Sequence, residues 1–337
     1  MADNHDQSRR SRREFLQIIC GAAAALPIAG AVAKAETSAT LQASSGGTTE
    51  TAAAAAQAAV KRPTSGKIHR VISANILLAA SAHDGTPMAW TNRRALCEKV
   101  LRQRDPDLIC MQEVLRQQSE DLAKDFSDYV QFGFPGPFMD ANPTDYHGVV
   151  KNIVLYRKSR YDLTGAGQYW LSETPLIANS NSWDSLRARS LTWVRLRDRE
   201  SGHEFRLLDT HLDHKGQTGR ENQARVIIQE AGQYSAKFPQ ILCGDFNADR
   251  NNPAVKLLLK NGWRNTYEDV YPGKDPGFSF HGMKGVEYKP KNKKKGKIDF
   301  IFARGAVSTK ATELIKDHEG TQYPSDHFFL SADLLIG

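Results

Sequence analysis

The chain has 337 residues, 45 Lys and Arg against 38 Asp and Glu, and a formal net charge of +7. The near balance of charge excludes a globally basic nucleic-acid coat, and the stretch from residue 67 onward has the length of one large domain or two small ones. After residue 35 three cysteines remain (Cys97, Cys110 and Cys243), and an odd number without regular spacing excludes a disulfide framework or a cysteine-based zinc site.

In chain order, the first element is a targeting segment. Ser11 to Gln17 (SRREFLQ) pairs two arginines with Phe15 and Leu16, and an alanine-rich, weakly apolar run leads to Ala33-Lys34-Ala35. A basic start, a short apolar stretch and a small-residue exit describe an export signal and not a membrane span. The segment resembles a twin-arginine signal, with Gln17 where that pattern favours Lys. Residues 36–66 are Ala, Ser, Thr and Gly with almost no large apolar side chains, which marks a linker. Residues 67–337 are the expected domain. Between Lys284 and Lys297 lie seven lysines and one glutamate, and this run holds the mature chain's whole positive excess.

Eight apolar runs bounded by turn residues predict strands: RVISANIL, DLICMQEV, GVVKNIVLYRK, SLTWVRLRD, EFRLLDTHL, QILCGDFN, KIDFIFAR and HFFLSADLLI. Helices are predicted in NRRALCEKVLRQRDP, where Ala95, Leu96, Val100 and Leu101 form the stripe, in GRENQARVIIQEAGQYSAKF, and in NPAVKLLLKNG, opened by Asn252 and Pro253. Phe132 to Gly148, rich in Gly, Pro, Asn and Asp, reads as a long loop. Cys110 and Cys243 fall in strand runs and are expected as buried thiols. Many strands with a few helices suggest two packed sheets with helices outside.

The strands end on polar residues. Asn75, Glu113, His211, Asp245 with Asn247, Asp299, and Asp326 with His327 close or precede successive apolar runs. Taken singly, each reads as a turn or a cap. Asp299 is harder to dismiss, because Ile298, Phe300, Ile301 and Phe302 surround it and a buried carboxylate needs a partner; a histidine is the obvious one. Asp245 and Asn247 share a strand face, with Phe246 on the other.

The order Asn75, QE, THL, GDFN, IDFIF, SDH resembles the endonuclease/exonuclease/phosphatase superfamily over residues 67–337. The resemblance implies a four-layer α/β sandwich, two mixed sheets face to face with helices outside. It implies Mg²⁺ or Mn²⁺ held by Glu113, with Asn75 and Asp326 beside it, and in-line attack of water on phosphorus. Asp245 would orient or deprotonate that water and Asn247 would hold a phosphate oxygen. His211 and His327 would face the phosphate, and Asp299 would pair with His327. Residues 169–196 resemble a bacterial subgroup in which Trp170, Trp183, Asp184 and Arg189 recur with THLDH. Arg189 and His214 are therefore candidate substrate-binding residues, and Trp183 could stack on a sugar or base. The expectation is an exported, monomeric phosphoesterase, periplasmic or secreted and carried by the twin-arginine machinery. Its partner would be a phosphate ester; nucleic acid is the rival substrate, and membrane lipid is not expected.

Overall fold

The structure is a computed structural model that describes residues 68–133, 151–274, 276–290 and 296–337. The export signal, the linker, most of the Phe132 to Gly148 loop and Lys291 to Lys295 of the lysine run lie outside the described residues.

Two six-stranded sheets form the centre. The first takes β11 (Val307–Ile315), β12 (Phe329–Ile336), β1 (Ile68–Asn75), β2 (Leu108–Val114), β4 (Lys151–Arg157) and β3 (Tyr129–Phe132) in that spatial order. The second takes β5 (Tyr161–Trp170), β6 (Ser190–Asp198), β7 (Glu204–His211), β8 (Gln240–Asp245), β10 (Asp299–Arg304) and β9 (Arg264–Asn265). Each sheet is mixed: β1 runs parallel to β2 and β7 to β8, and the remaining neighbours are antiparallel.

Side-chain alternation sorts the strands into three cores. On β8, Ile241 and Cys243 face the other sheet, where they meet Val71, Cys110, Val154 and Leu330, while Leu242 turns outward. Outside the first sheet, α1 (Trp90–Arg102) and α2 (Arg116–Asp125) cover Ile72, Ile109 and Leu155. Outside the second, α3 (Gln217–Ala231) and α4 (Pro253–Lys260) cover Leu208, Leu242 and Phe302, and α5 (Thr266–Val270) is a short turn of helix. The result is the four-layer sandwich expected above, with Cys97, Cys110 and Cys243 buried. Asn252 caps α4 by accepting from Ala254 N at 3.0 Å, and Pro253 fills the first turn.

Two expectations need correction. Ala95 is exposed, and the buried stripe of α1 is Trp90, Arg93, Leu96, Cys97, Val100 and Leu101. Counting from residue 93, those positions recur at the helical period and residue 95 falls off the face. Phe132 belongs to strand β3 and not to a loop.

Both sheets end their polar strand tips at the same edge. On β1, β7, β8 and β10 the residues of inward parity at that edge are Asn75, His211, Asp245 and Asp299. Asp299 pairs in register with Asp245, and Asp245 with His211. Gly244 lets β8 lie against β7, since a Cβ there would sit 2.2 Å from the Thr210 carbonyl oxygen.

Candidate active site

Asp245 is the hub. Its Oδ2 accepts from Asn75 Nδ2 at 3.1 Å, lies 3.3 Å from His211 Nε2 and 3.8 Å from His327 Nε2. Its Oδ1 accepts from Asn247 N at 2.8 Å. Beyond His327, Asp299 Oδ2 meets Nδ1 at 2.9 Å, so the carboxylate that had to find a partner inside an apolar run has a histidine.

Glu113 reaches this group by breaking the strand rule. Cys110 faces inward, so alternation would send Glu113 toward the outer helices. Instead the β2–β4 register shifts between Met111 and Val114, and Glu113 adopts a left-handed backbone with φ of 63°. Its Oε1 then accepts from Asn75 Nδ2 at 3.1 Å and its Oε2 from Leu78 N at 3.1 Å. Asn75 Oδ1 accepts from Leu77 N, which turns the amide nitrogen toward both carboxylates. Asn247, also left-handed with φ of 46°, donates from Nδ2 to Leu212 O at 3.1 Å and faces His211 Nε2 at 2.9 Å. Phe246 between Asp245 and Asn247 is packed in the outer core against Phe300 and Phe302.

The charges do not balance as ordinary side chains would. Burial, reinforced by the neighbouring Asp299, pushes Asp245 up to about 7, although His327 opposes the shift. Burial also raises Asp326, Glu113 adds to it and His327 again opposes. His327 moves well above its ordinary value: burial alone would lower it, but the charge and hydrogen bond of Asp299, with Asp326 and Asp245, outweigh that cost. His211 moves well below, first by burial and then through the charges of Arg189, His327 and His214. One histidine is therefore held charged and one neutral. Ligand atoms of Glu113, His211 and Asp245 lie within 4.8 Å of one another, as do those of Asp245, Asp299 and His327. Hard carboxylate oxygens crowded until a proton is retained form a donor set that fits a divalent cation.

The supporting shell was not foreseen. Arg93, fully buried, donates to the carbonyls of Met88, Ile76, Leu77 and Pro324 at 2.6 to 2.9 Å, which ties the loop after Asn75 to the loop before Asp326. Gln118 donates to Leu77 O at 3.0 Å and accepts from Ala79 N. Ser325 Oγ donates to Asn75 O at 2.6 Å, and Ser279 Oγ accepts from Ile298 N and Asp299 N. Phe280 packs edge-on to the His327 ring at 5.2 Å. A charge inside an apolar helical stripe was the available sign for Arg93.

The sequence profile of the Endonuclease/Exonuclease/phosphatase family matches residues 72–327. The chain belongs to the endonuclease/exonuclease/phosphatase family. Nocturnin of Drosophila melanogaster is 26% identical over 290 residues, covering 73% of this chain and 42% of that protein, and rat Nocturnin is 24% identical with 59% of its length covered. The chain thus spans about half the length of these curated relatives. Among solved structures, a mannosyl-6-phosphatase of Bacteroides thetaiotaomicron superimposes with a TM-score of 0.69 at 23% identity, over 80% of this chain and 100% of that one. The human Nocturnin catalytic domain with bound sulfate gives 0.63 at 21% identity, over 80% and 94%. Enzymes of the endonuclease/exonuclease/phosphatase family hydrolyse phosphate esters with divalent metals.

The residues singled out between Trp170 and Arg189 in this family member divide by role. Asp184 accepts from Gly219 N and Thr218 N at the start of α3, so it caps a helix, and a Cβ on Gly216 would lie 2.4 Å from the Asp184 carbonyl oxygen. Trp170 is buried, with Lys151 Nζ 5.5 Å from its ring centre, and Trp183 is half-buried with φ of 61°. Arg189 and His214 are brought together, Nη2 to Nδ1 at 3.2 Å.

Behind His327 lies another buried histidine. His281 accepts from Gly285 N at 3.1 Å, stacks near Phe328 and Tyr323, and is held at about 4 by burial and then by His327. The unfolded chain takes up a proton near pH 6.5 that the folded chain refuses until about 4, so stability should fall with pH across that window, by roughly 3 kcal/mol at most. Urea unfolding at pH 7 and pH 4.5 should show a smaller acid loss for His281→Phe than for the wild type. Equal losses would refute the assignment.

Proposed function

We propose that the protein is an exported, Mg²⁺- or Mn²⁺-dependent phosphoesterase that hydrolyses a small phosphodiester or phosphomonoester by in-line attack of water. The observation that carries this reading is the opposed pair at the centre: a carboxylate poised to take a proton, Asp245, beside an imidazolium, His327, fixed by Asp299. Asp245 receives the proton of the attacking water, because His327 already carries one and His211 is occupied by Asn247. His327 donates toward the charge that builds on the phosphoryl oxygens. Asn247 holds the His211 ring, and Asn75 keeps the two carboxylates apart by donating to both. Glu113 with Asp326 would hold the cation, which when bound neutralises negative charge on the phosphate.

The mannosyl-6-phosphatase among the structural neighbours supports a small phosphomonoester, while a Ccr4 exoribonuclease subunit, 22% identical over 258 residues, keeps a nucleic-acid substrate as the second reading. Metal-stripped protein, titrated with Mg²⁺ and Mn²⁺ against sugar phosphates, a chromogenic diester and its monoester, and single-stranded DNA and RNA, decides between them. Turnover of one class, lost in the double variant Asp245→Asn, His327→Ala, is the expected result. Tight anion binding without turnover of any substrate would leave a non-catalytic binding module. Export is tested apart from chemistry: replacing Arg12 and Arg13 by Lys should strand folded protein in the cytoplasm, and normal export of that variant would end the twin-arginine reading.

A further inference from the structure

We propose that Arg189 and His214 form a second anion site, beside the one for the scissile phosphate, for a phosphate or carboxylate borne elsewhere on the substrate. This deepens the phosphoesterase reading and rests on it for the position of the scissile group. Arg189 is 8% exposed, yet among the described residues its guanidinium makes one hydrogen bond, to the His214 ring, and its Nε has no acceptor. Other buried guanidiniums carry at least two hydrogen bonds: Arg70 meets Asp333 through two nitrogens, Arg93 meets four carbonyls, and Arg206 and Arg220, whose Nε is likewise unpartnered, each bond through both Nη atoms. The carboxylate nearest Arg189 is Asp213, 3.9 Å from Nε. Asp213 is committed to the backbone, Oδ1 accepting from Lys215 N and Gly216 N and Oδ2 from Leu186 N and Arg187 N.

A buried guanidinium with its fork open is costly unless an acceptor arrives. A planar fork accepts an oxyanion by two parallel hydrogen bonds. The backbone around it is already fixed: Asp213 binds residues 186–187 to residues 215–216, Asp184 caps α3, and Leu171 N donates to Arg189 O at 2.7 Å. The fork is thereby held ready and little ordering remains for binding. Arg189 lies on the His211 side of the site, where its charge is the largest acting on that ring. His214, its ring nitrogen turned to Arg189, orients the fork from the exposed side.

The test is calorimetry without metal, using inorganic phosphate, pyrophosphate and 3-phosphoglycerate on the wild type, Arg189→Met and Arg189→Lys, with melting temperatures alongside. A two-anion ligand should bind the wild type about tenfold or more tighter than phosphate. Pyrophosphate and 3-phosphoglycerate distinguish a second phosphate from a carboxylate. Arg189→Met should erase that advantage while keeping phosphate affinity and melting temperature, and Arg189→Lys should restore part of it. An equal loss for all three ligands would place Arg189 on the scissile phosphate, and unchanged affinities, a lower melting temperature alone, or no anion binding by the wild type would each overturn the proposal. Because binding is read without turnover, failure to hydrolyse any ester would count against the phosphoesterase reading and leave this site standing.

Discussion

Asp245→Asn should lower turnover by roughly 10²- to 10⁴-fold, the range for loss of a general base, and should do so without unfolding the protein. The amide keeps an oxygen for Asn247 N, while it gives up one donor from Asn75 and sets an N–H 3.3 Å from His211 Nε2, a nitrogen that already faces Asn247 Nδ2. It also removes a buried carboxylate whose neighbour Asp299 repels it. Thermal unfolding should therefore stay level or rise, the pattern of a site that trades stability for chemistry. The measurement is single-turnover hydrolysis beside a melting curve. Activity within tenfold of wild type would remove Asp245 from the role of base, and a collapse of the melting temperature would make it structural.

Arg93→Met is the second large effect, and it should fall on stability first. The substitution leaves the Met88, Ile76, Leu77 and Pro324 carbonyls without their buried donor, a loss of about 3–5 kcal/mol. Because the first and last site loops both hang on this guanidinium, turnover should drop even under conditions where the variant is folded. Arg93→Lys should recover little, since one ammonium cannot reproduce a planar fork aimed at four oxygens. Urea midpoints at an unchanged slope would check it, and a loss below about 1 kcal/mol would show that water or neighbouring N–H groups replace the fork.

How much of this was readable follows the sheet positions. The eight predicted strands are the eight interior ones, whose two covered faces demand continuous apolar runs. The four missed, β3, β5, β9 and β11, are the four sheet edges. β5 carries exposed Asp162, Leu163 and Thr164 with two glycines, and β11 alternates with exposed Ser308 and Lys310, so neither shows the apolar signal. At the site, the polar strand ends were legible because period-two alternation projects them to one face. Arg93, Gln118 and Ser279 were not, because they act on backbone atoms whose positions exist only after the two sheets meet. The turn of Glu113 into the site was hidden as well, since a left-handed residue and a register shift leave no mark on composition.

The pairing of β1 with β12 has a consequence for synthesis. Ile68 lies opposite Leu335, so the strand that carries Asn75 waits for β12, far later in the sequence, to cover its edge. Contacts this far apart in sequence are slow to close. On the ribosome β1 can join β2 but keeps one row of unpaired amides and carbonyls until β12 has emerged. A chain truncated before Phe329 should present an open, apolar edge to its neighbours, which makes incomplete chains of this protein prone to association.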